Sequence, residues 1–242
     1  MNGLLVRVGA DQTQEGGHWH GLVDSTTWKF AYVPIPEKRA IRKGLEKPYQ
    51  LTAQALERFR VGLPPHLDGR PMHLDPDFYH LTYGDSSQRA EQIKSKVRPG
   101  DLLVFYAGFR NIADLRNITA KKELVYAIIG LYVVESIVPA CEVPAADWDI
   151  NAHTRRLLPK GATDIVVRGQ PGVSGRLEQC LPVGKYRDRA YRVRREILKE
   201  WGGLSVKNGY LQRSARLPVF CDATRFYDWF KSKGGALVAW NN

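Results

Sequence analysis

Arg98-Pro-Gly-Asp-Leu-Leu-Val-Phe-Tyr-Ala-Gly108 holds a turn and then a strand. Pro99-Gly100-Asp101 closes a helix expected over Gln88 to Val97. Leu102 to Tyr106 is an unbroken apolar and aromatic run of strand length. A second run, Leu124-Val-Tyr-Ala-Ile-Ile-Gly-Leu-Tyr-Val-Val134, reads as one long strand or two short ones around a central glycine. Between them lies a polar loop, Gly108 to Lys122. Helix, turn, aromatic strand and glycine-centred strand together predict a small barrel. The expected fold class is α+β: a mixed, mostly antiparallel β-barrel core with surrounding helices and long loops.

Working outward, residues 3–8 and Trp28 to Val33 read as strands, the second closed by Pro34-Ile-Pro36. Thr52 to Phe59 has helical apolar spacing. Val61 to Asp85 reads as a long loop, dense in His, Asp and Tyr. Downstream, Asp147 to Leu157 and Tyr191 to Trp201 are expected helices, the latter basic and stopped by Gly202-Gly203. Ile165 to Val167 and Leu177 to Leu181 are expected strands around a Gly-rich turn. Asp222 to Phe230 is an expected helix with Asp222 as N-cap, and Ala236 to Trp240 an edge strand. No linker or repeat interrupts the chain, so residues 1–242 are read as one domain. A barrel core covers about 1–138 and a basic lobe about 139–242.

Hydrophobic residues make up 43% and charged residues 25% of the 242, enough to build a core without staples. The three cysteines, Cys141, Cys180 and Cys221, form no CxxC pair and are read as buried free thiols. The N-terminus reads as a strand rather than a signal peptide. No apolar run approaches the roughly 20 residues of a membrane span. The expectation is a cytoplasmic protein with no membrane partner and undetermined oligomeric state.

The net charge of +11 is concentrated. Thr154 to Arg216 holds 15 Lys and Arg, most of them Arg, against 5 acids, while the rest of the chain is nearly neutral. A localised excess points to a polyanion. Arg favours bidentate phosphate and base-edge contacts. A solvated basic surface is the alternative. Tyr and Arg interleave from Lys185 to Arg195 and from Asn208 to Arg216, as on nucleic-acid surfaces. Nucleic acid, DNA ahead of RNA, or a nucleotide is therefore the expected partner.

Met72-His-Leu-Asp-Pro-Asp-Phe-Tyr-His-Leu-Thr-Tyr-Gly-Asp85 supplies candidate acid–base groups. His80 beside Tyr83 and Asp85 is the foremost, since His titrates near neutrality. His153 is a second candidate base. Asx turns and caps account equally for these aspartates. The spacing His73, Asp75, Asp77, His80 matches no metal pattern, though adding His18 and His20 could complete a site. No metal and no cofactor are expected. The candidate catalytic residues are thus His80, Asp85 and His153. Candidate nucleotide contacts are His73, Asp75, Tyr83, Tyr106, Arg110 and Arg155, then Arg168, Ser174, Arg176 and Arg187, and finally Tyr210, Gln212, Arg213 and Arg216.

The stretch around 98–134 resembles PUA-like domains, including the EVE and YTH types. That likeness implies a barrel pocket that accepts an unpaired base, with Phe105, Tyr106, Tyr126 or Tyr132 for stacking. Strand alternation places Phe105 and Tyr106 on opposite faces. Filling of the barrel core is the other reading of these aromatics. Several blocks together resemble the third nucleotide-modification-associated domain family of bacteria and phages. They are Tyr32-Val-Pro-Ile-Pro-Glu37, Arg70 to His80, Thr82-Tyr-Gly-Asp85, Pro99 to Gly108, Val167-Arg-Gly169, Gly172 to Arg176 and Gly209 to Pro218. The resemblance implies a role in making, reading or processing modified nucleotides. An enzyme acting on a free nucleotide or sugar-nucleotide, with Arg on phosphates and a His base, is the alternative. An interaction module for an acidic protein is a third reading.

Overall fold

A computed structural model describes residues 1–115, 123–211 and 216–242. In chain order it contains β1 (Gly3–Arg7), β2 (Gly21–Val23), β3 (Phe30–Ala31), β4 (Ile35–Pro36), α1 (Ala53–Glu57), β5 (Met72–His73), β6 (Thr82–Asp85) and α2 (Ser87–Lys96). There follow β7 (Leu102–Asn111), α3 (Ile112–Leu115), β8 (Leu124–Pro139), α4 (Ala152–Arg155), β9 (Ile165–Gly169) and β10 (Gly175–Pro182). The chain ends with β11 (Gly184–Arg187), β12 (Ala190–Val193), α5 (Arg195–Glu200), α6 (Ala223–Ser232) and β13 (Leu237–Val238).

The two strands quoted first are the centre of the fold. β7 and β8 pair antiparallel along their length, with Leu102 opposite Val133 and Arg110 opposite Leu124. β1 and β2 both join β7 in parallel. β8 also pairs with β10 and, past Val134, with β9, which carries β6. The resulting nine-stranded sheet curls into a half-barrel. This is the expected mixed, mostly antiparallel α+β architecture.

β7 is a continuous apolar run because both of its faces are buried. Leu103, Phe105, Ala107 and Phe109 enter one core with Leu4, Val6, Phe78 and Tyr132. Leu102, Val104 and Tyr106 enter a second core with Trp201, Phe220 and Phe226. Phe105 and Tyr106 therefore point to opposite sides, as alternation requires. The ladder shifts register between them, where Phe105 faces Gly130 and Tyr106 faces Ile128. Gly130 is needed there, since a Cβ would stand 2.8 Å from Phe78 Cε1 and 3.0 Å from Arg176 Cα.

Several elements differ from the sequence reading. The Val61–Asp85 loop contains β5 and β6, each pairing with a distant strand. The expected helix over Tyr191 to Trp201 is instead β12 followed by α5. β11 and β12 form a hairpin whose two turn residues, Asp188 and Arg189, have φ of 52° and 61°. Alternation in Tyr-Arg-Val-Arg overrides the helical spacing. Asp147 to Leu157 splits into a 3-10 turn and the short α4. The Asp222 cap holds: its Oδ1 accepts from Arg225 N at 2.9 Å. Cys180 is buried, but Cys141 and Cys221 are exposed, which corrects the expectation that all three are buried. Among the described residues no helix is long and apolar enough to cross a membrane.

Candidate functional site

Short strand pairings bring four distant segments to one point. β4 pairs with β5, setting Ile35 opposite His73. The next turn of chain carries Glu37, whose Oε2 lies 2.7 Å from His73 Nδ1. Two residues after His73, Asp75 points the same way, and both of its oxygens accept the β6 amide of Gly84, at 2.9 and 3.0 Å. β6 pairs with β9, placing Asp164, just before β9, near α4. Asn151 caps α4 by accepting from His153 N at 2.8 Å, and its amide donates to Asp75 Oδ1 at 3.2 Å. His153 Nδ1 lies 2.6 Å from Asp164 Oδ1.

The two imidazoles thus have the same setting. Each turns Nδ1 toward a carboxylate, and each leaves Nε2 at 3.7 Å from Asp75 Oδ2. The rings stand 5.1 Å apart at 70°. Arg156 lies behind them, donating to Glu37 from Nε and Nη2 at 3.0 Å each, with Nη1 3.6 Å from Asp164. Burial pushes the Glu37 carboxyl up, but the hydrogen bond from His73 and the Arg156 guanidinium outweigh it and hold the group well below the usual range. Burial lowers His73 to about 4, against its hydrogen bond to Glu37. Burial likewise lowers His153 and raises Asp75 well above the carboxylate range.

His73, Asp75 and His153 offer ligand atoms that all lie within 4.8 Å of one another, so these residues could hold a metal. This departs from the expectation of no metal. From sequence, His18 and His20 were the groups that could complete a site, whereas the fold supplies His153. All three line a pocket of about 430 Å³. Arg7, Lys38, Arg39, Arg89, Asp85 and the buried Tyr83 also line it. Arg7 is paired with Asp11 at 3.3 Å and Arg89 with Asp85 at 3.0 Å. Lys38 and Arg39 are exposed, and, against the effect of burial, the charge of Arg39 is among those that lower the Asp164 carboxyl, after His153 and Arg156. The arrangement is a polar, buried floor beneath a cationic rim, which suits an anionic ligand.

The model of the nucleotide modification associated domain 3 family matches residues 2–230. The chain belongs to that family. No curated protein and no solved structure matches it. The match runs through every segment of this nucleotide modification associated domain that builds the pocket.

Within the domain, the residues singled out from sequence part company. His73, Asp75, Tyr83, Asp85 and His153 meet in the pocket. Tyr83 donates to Asp85 Oδ2 at 2.6 Å and packs on Phe105. His80 is outside the pocket, 3.1 Å from Asp77. Arg155 is buried against Asp77 at 2.7 Å. Tyr106 lies in the second core and donates to the Leu211 carbonyl at 2.6 Å. Ser174 bonds the Val133 backbone, and Arg176 donates to the carbonyls of Trp240 and Leu177 with its guanidinium over Phe30. Tyr106, His80 and Arg176 therefore do not converge. Arg168 reaches Asp147 at 3.6 Å, and Arg110 sits where β7 meets β2. Arg187 lines a separate cleft with Arg195, Lys199 and Arg225; Arg216 lines another, and Tyr210 lies under Arg192. Gln212 and Arg213 lie outside the described residues. The sequence reading missed Lys38, Arg39, Arg89, Asn151, Arg156 and Asp164. Of these, only Lys38 and Arg39 stood outside every stretch marked from sequence.

Proposed function

We infer that the chain modifies a nucleotide bound in the pocket above His73, Asp75 and His153. The phosphate sits at the rim, on Lys38, Arg39 and Arg7, and the reacting base or sugar edge reaches the floor. The observation that carries this is the combination of an exposed cationic rim with three buried ligand or acid–base side chains, in a family associated with nucleotide modification. A cavity of about 430 Å³ falls in the range of small-ligand sites. This reading moves the base-holding role from the barrel aromatics to the pocket, because Phe105 and Tyr132 are spent on the core. His153 replaces His80 as the imidazole at the reacting edge.

A second cleft favours a polymeric substrate. Arg187, Arg195, Lys199 and Arg225 line about 570 Å³ on the basic C-terminal part. A DNA strand gripped there would leave one nucleotide to enter the pocket. The half-barrel then plays the part that a PUA-like barrel plays, as a platform behind an extruded base.

The test is a binding panel. Nucleoside monophosphates and short single-stranded DNA are titrated into the wild-type chain and Lys38→Glu/Arg39→Glu. Nucleotide binding that the double variant weakens about tenfold or more supports the reading. Absence of binding by every nucleotide and strand overturns it. Strand binding that falls steeply with salt supports the polymeric form.

A further inference from the structure

We propose that His73, Asp75 and His153 bind one divalent transition-metal ion through His73 Nε2, His153 Nε2 and Asp75 Oδ2. This deepens the reading of the same pocket, and its test stands apart from nucleotide binding. The case rests on the hydrogens. Glu37 and Asp164 lie 2.7 and 2.6 Å from the two Nδ1 atoms, closer than the Arg156 nitrogens at 3.1 and 3.4 Å; an ionised carboxylate only accepts, so these short contacts assign the hydrogen to Nδ1 and leave a lone pair on each Nε2. Both lone pairs face Asp75 Oδ2 at 3.7 Å. Asp75 is itself surrounded by donors: Gly84 N bonds both oxygens and Asn151 Nδ2 bonds Oδ1. A proton on Oδ2 would be too far from either nitrogen for a hydrogen bond. Two imidazole nitrogens and a carboxylate oxygen that accepts from Gly84 N thus converge in a buried place, and no hydrogen bond joins the three to one another. One cation satisfies all three.

The distances allow it. Metal bonds of about 2.1 Å at tetrahedral angles separate two donors by roughly 3.4 Å, so each 3.7 Å gap closes by a few tenths of an ångström. A carboxylate behind each ligating imidazole is the support that metal-bound histidines generally have. Arg156, bonded to Glu37 and close to Asp164, fixes both carboxylates at once. Two imidazoles and one carboxylate select borderline ions such as zinc, iron(II) or cobalt(II) over magnesium and calcium. Because all three ligands come from the pocket floor, the remaining positions face the pocket, where water or a substrate oxygen binds.

The experiment uses the chelator-treated, full-length chain, titrated anaerobically with cobalt(II). Visible absorption and calorimetry are read with no nucleotide present. Saturable uptake of one ion per chain is expected, displaced by zinc and not by magnesium. His153→Gln and His73→Gln abolish it, Glu37→Gln weakens it about 10–100-fold, and His18→Ala leaves it unchanged. Circular dichroism establishes that each variant is folded, and the wild-type displacement series keeps the test decisive if the ligand variants are not. No stoichiometric uptake by the wild-type chain, equal displacement by magnesium, or wild-type affinity in a folded His153→Gln chain overturns the proposal. Nucleotide binding without cobalt uptake sinks the metal and spares the nucleotide reading; cobalt uptake without nucleotide binding does the reverse.

Discussion

Gly84 and His153 share one space. A Cβ built on Gly84 would overlap the His153 ring and stand 2.6 Å from Asn151 Oδ1. The same glycine's N–H holds both oxygens of Asp75. Gly84 is thus a steric and hydrogen-bonding centre of the site, though its backbone needs no left-handed conformation. Gly84→Ala is expected to displace His153 and to cost about 1–3 kcal/mol by overpacking. Urea unfolding measures the cost. Cobalt binding reports the displacement, and wild-type affinity in the variant would contradict it.

Asp77 and Arg155 form a buried ion pair at 2.7 Å beside the site. Removing Asp77 takes the buried carboxylate from Arg155 and leaves it only the half-exposed Asp149, at 3.2 Å. Asp77→Ala is therefore expected to lose about 3–5 kcal/mol. The double variant Asp77→Ala/Arg155→Met should recover part of that loss. A double variant as unstable as the sum of the singles would show that the two side chains act independently.

Tyr106 gives its hydroxyl to the Leu211 carbonyl inside the second core. Tyr106→Phe is expected to cost about 1–2 kcal/mol, the penalty of an unmet buried acceptor. Nucleotide affinity should not change. A tenfold drop in affinity with unchanged stability would return Tyr106 to a binding role.

Cys180 gives a pH signature. It is 1% exposed, and burial pushes its thiol up to about 12. In the unfolded chain the thiol ionises near 8.5, so between those values the unfolded state loses a proton that the folded state keeps. Stability from this group is complete below the unfolded value and is lost as pH rises. From pH 8 to 10 the wild-type chain should lose on the order of 2 kcal/mol more than Cys180→Ala. Equal losses in urea unfolding at the two pH values would refute this. Alkylation at pH 8 should label Cys141 and Cys221 and spare Cys180.

Much of the frame was legible locally. The Leu102 and Leu124 runs are the central strand pair, and the Asp222 cap starts α6. These features depend on neighbours within a few residues, and periodicity reports them directly. β12 differs from the expected helix because Tyr191 to Val193 satisfies both periods, and only its pairing with Gly184 to Tyr186 decides between them. Phe105 and Tyr132 looked like stacking residues because an aromatic has the same letter in a core as in a pocket.

The sequence by itself determined the α+β class and the two central strands, and it marked His73 and Asp75 as candidate contacts within a loop. It also marked His153, without a partner. Only the tertiary structure decided that His153 meets Asp75, that Glu37 and Arg156, 119 residues apart, form one support, and that Arg155 and Arg176 belong to the interior. The reason is geometric. Side-chain direction along a strand repeats every two residues and is written in the sequence, but which segments meet is set by long-range strand pairing, whose register no local pattern records.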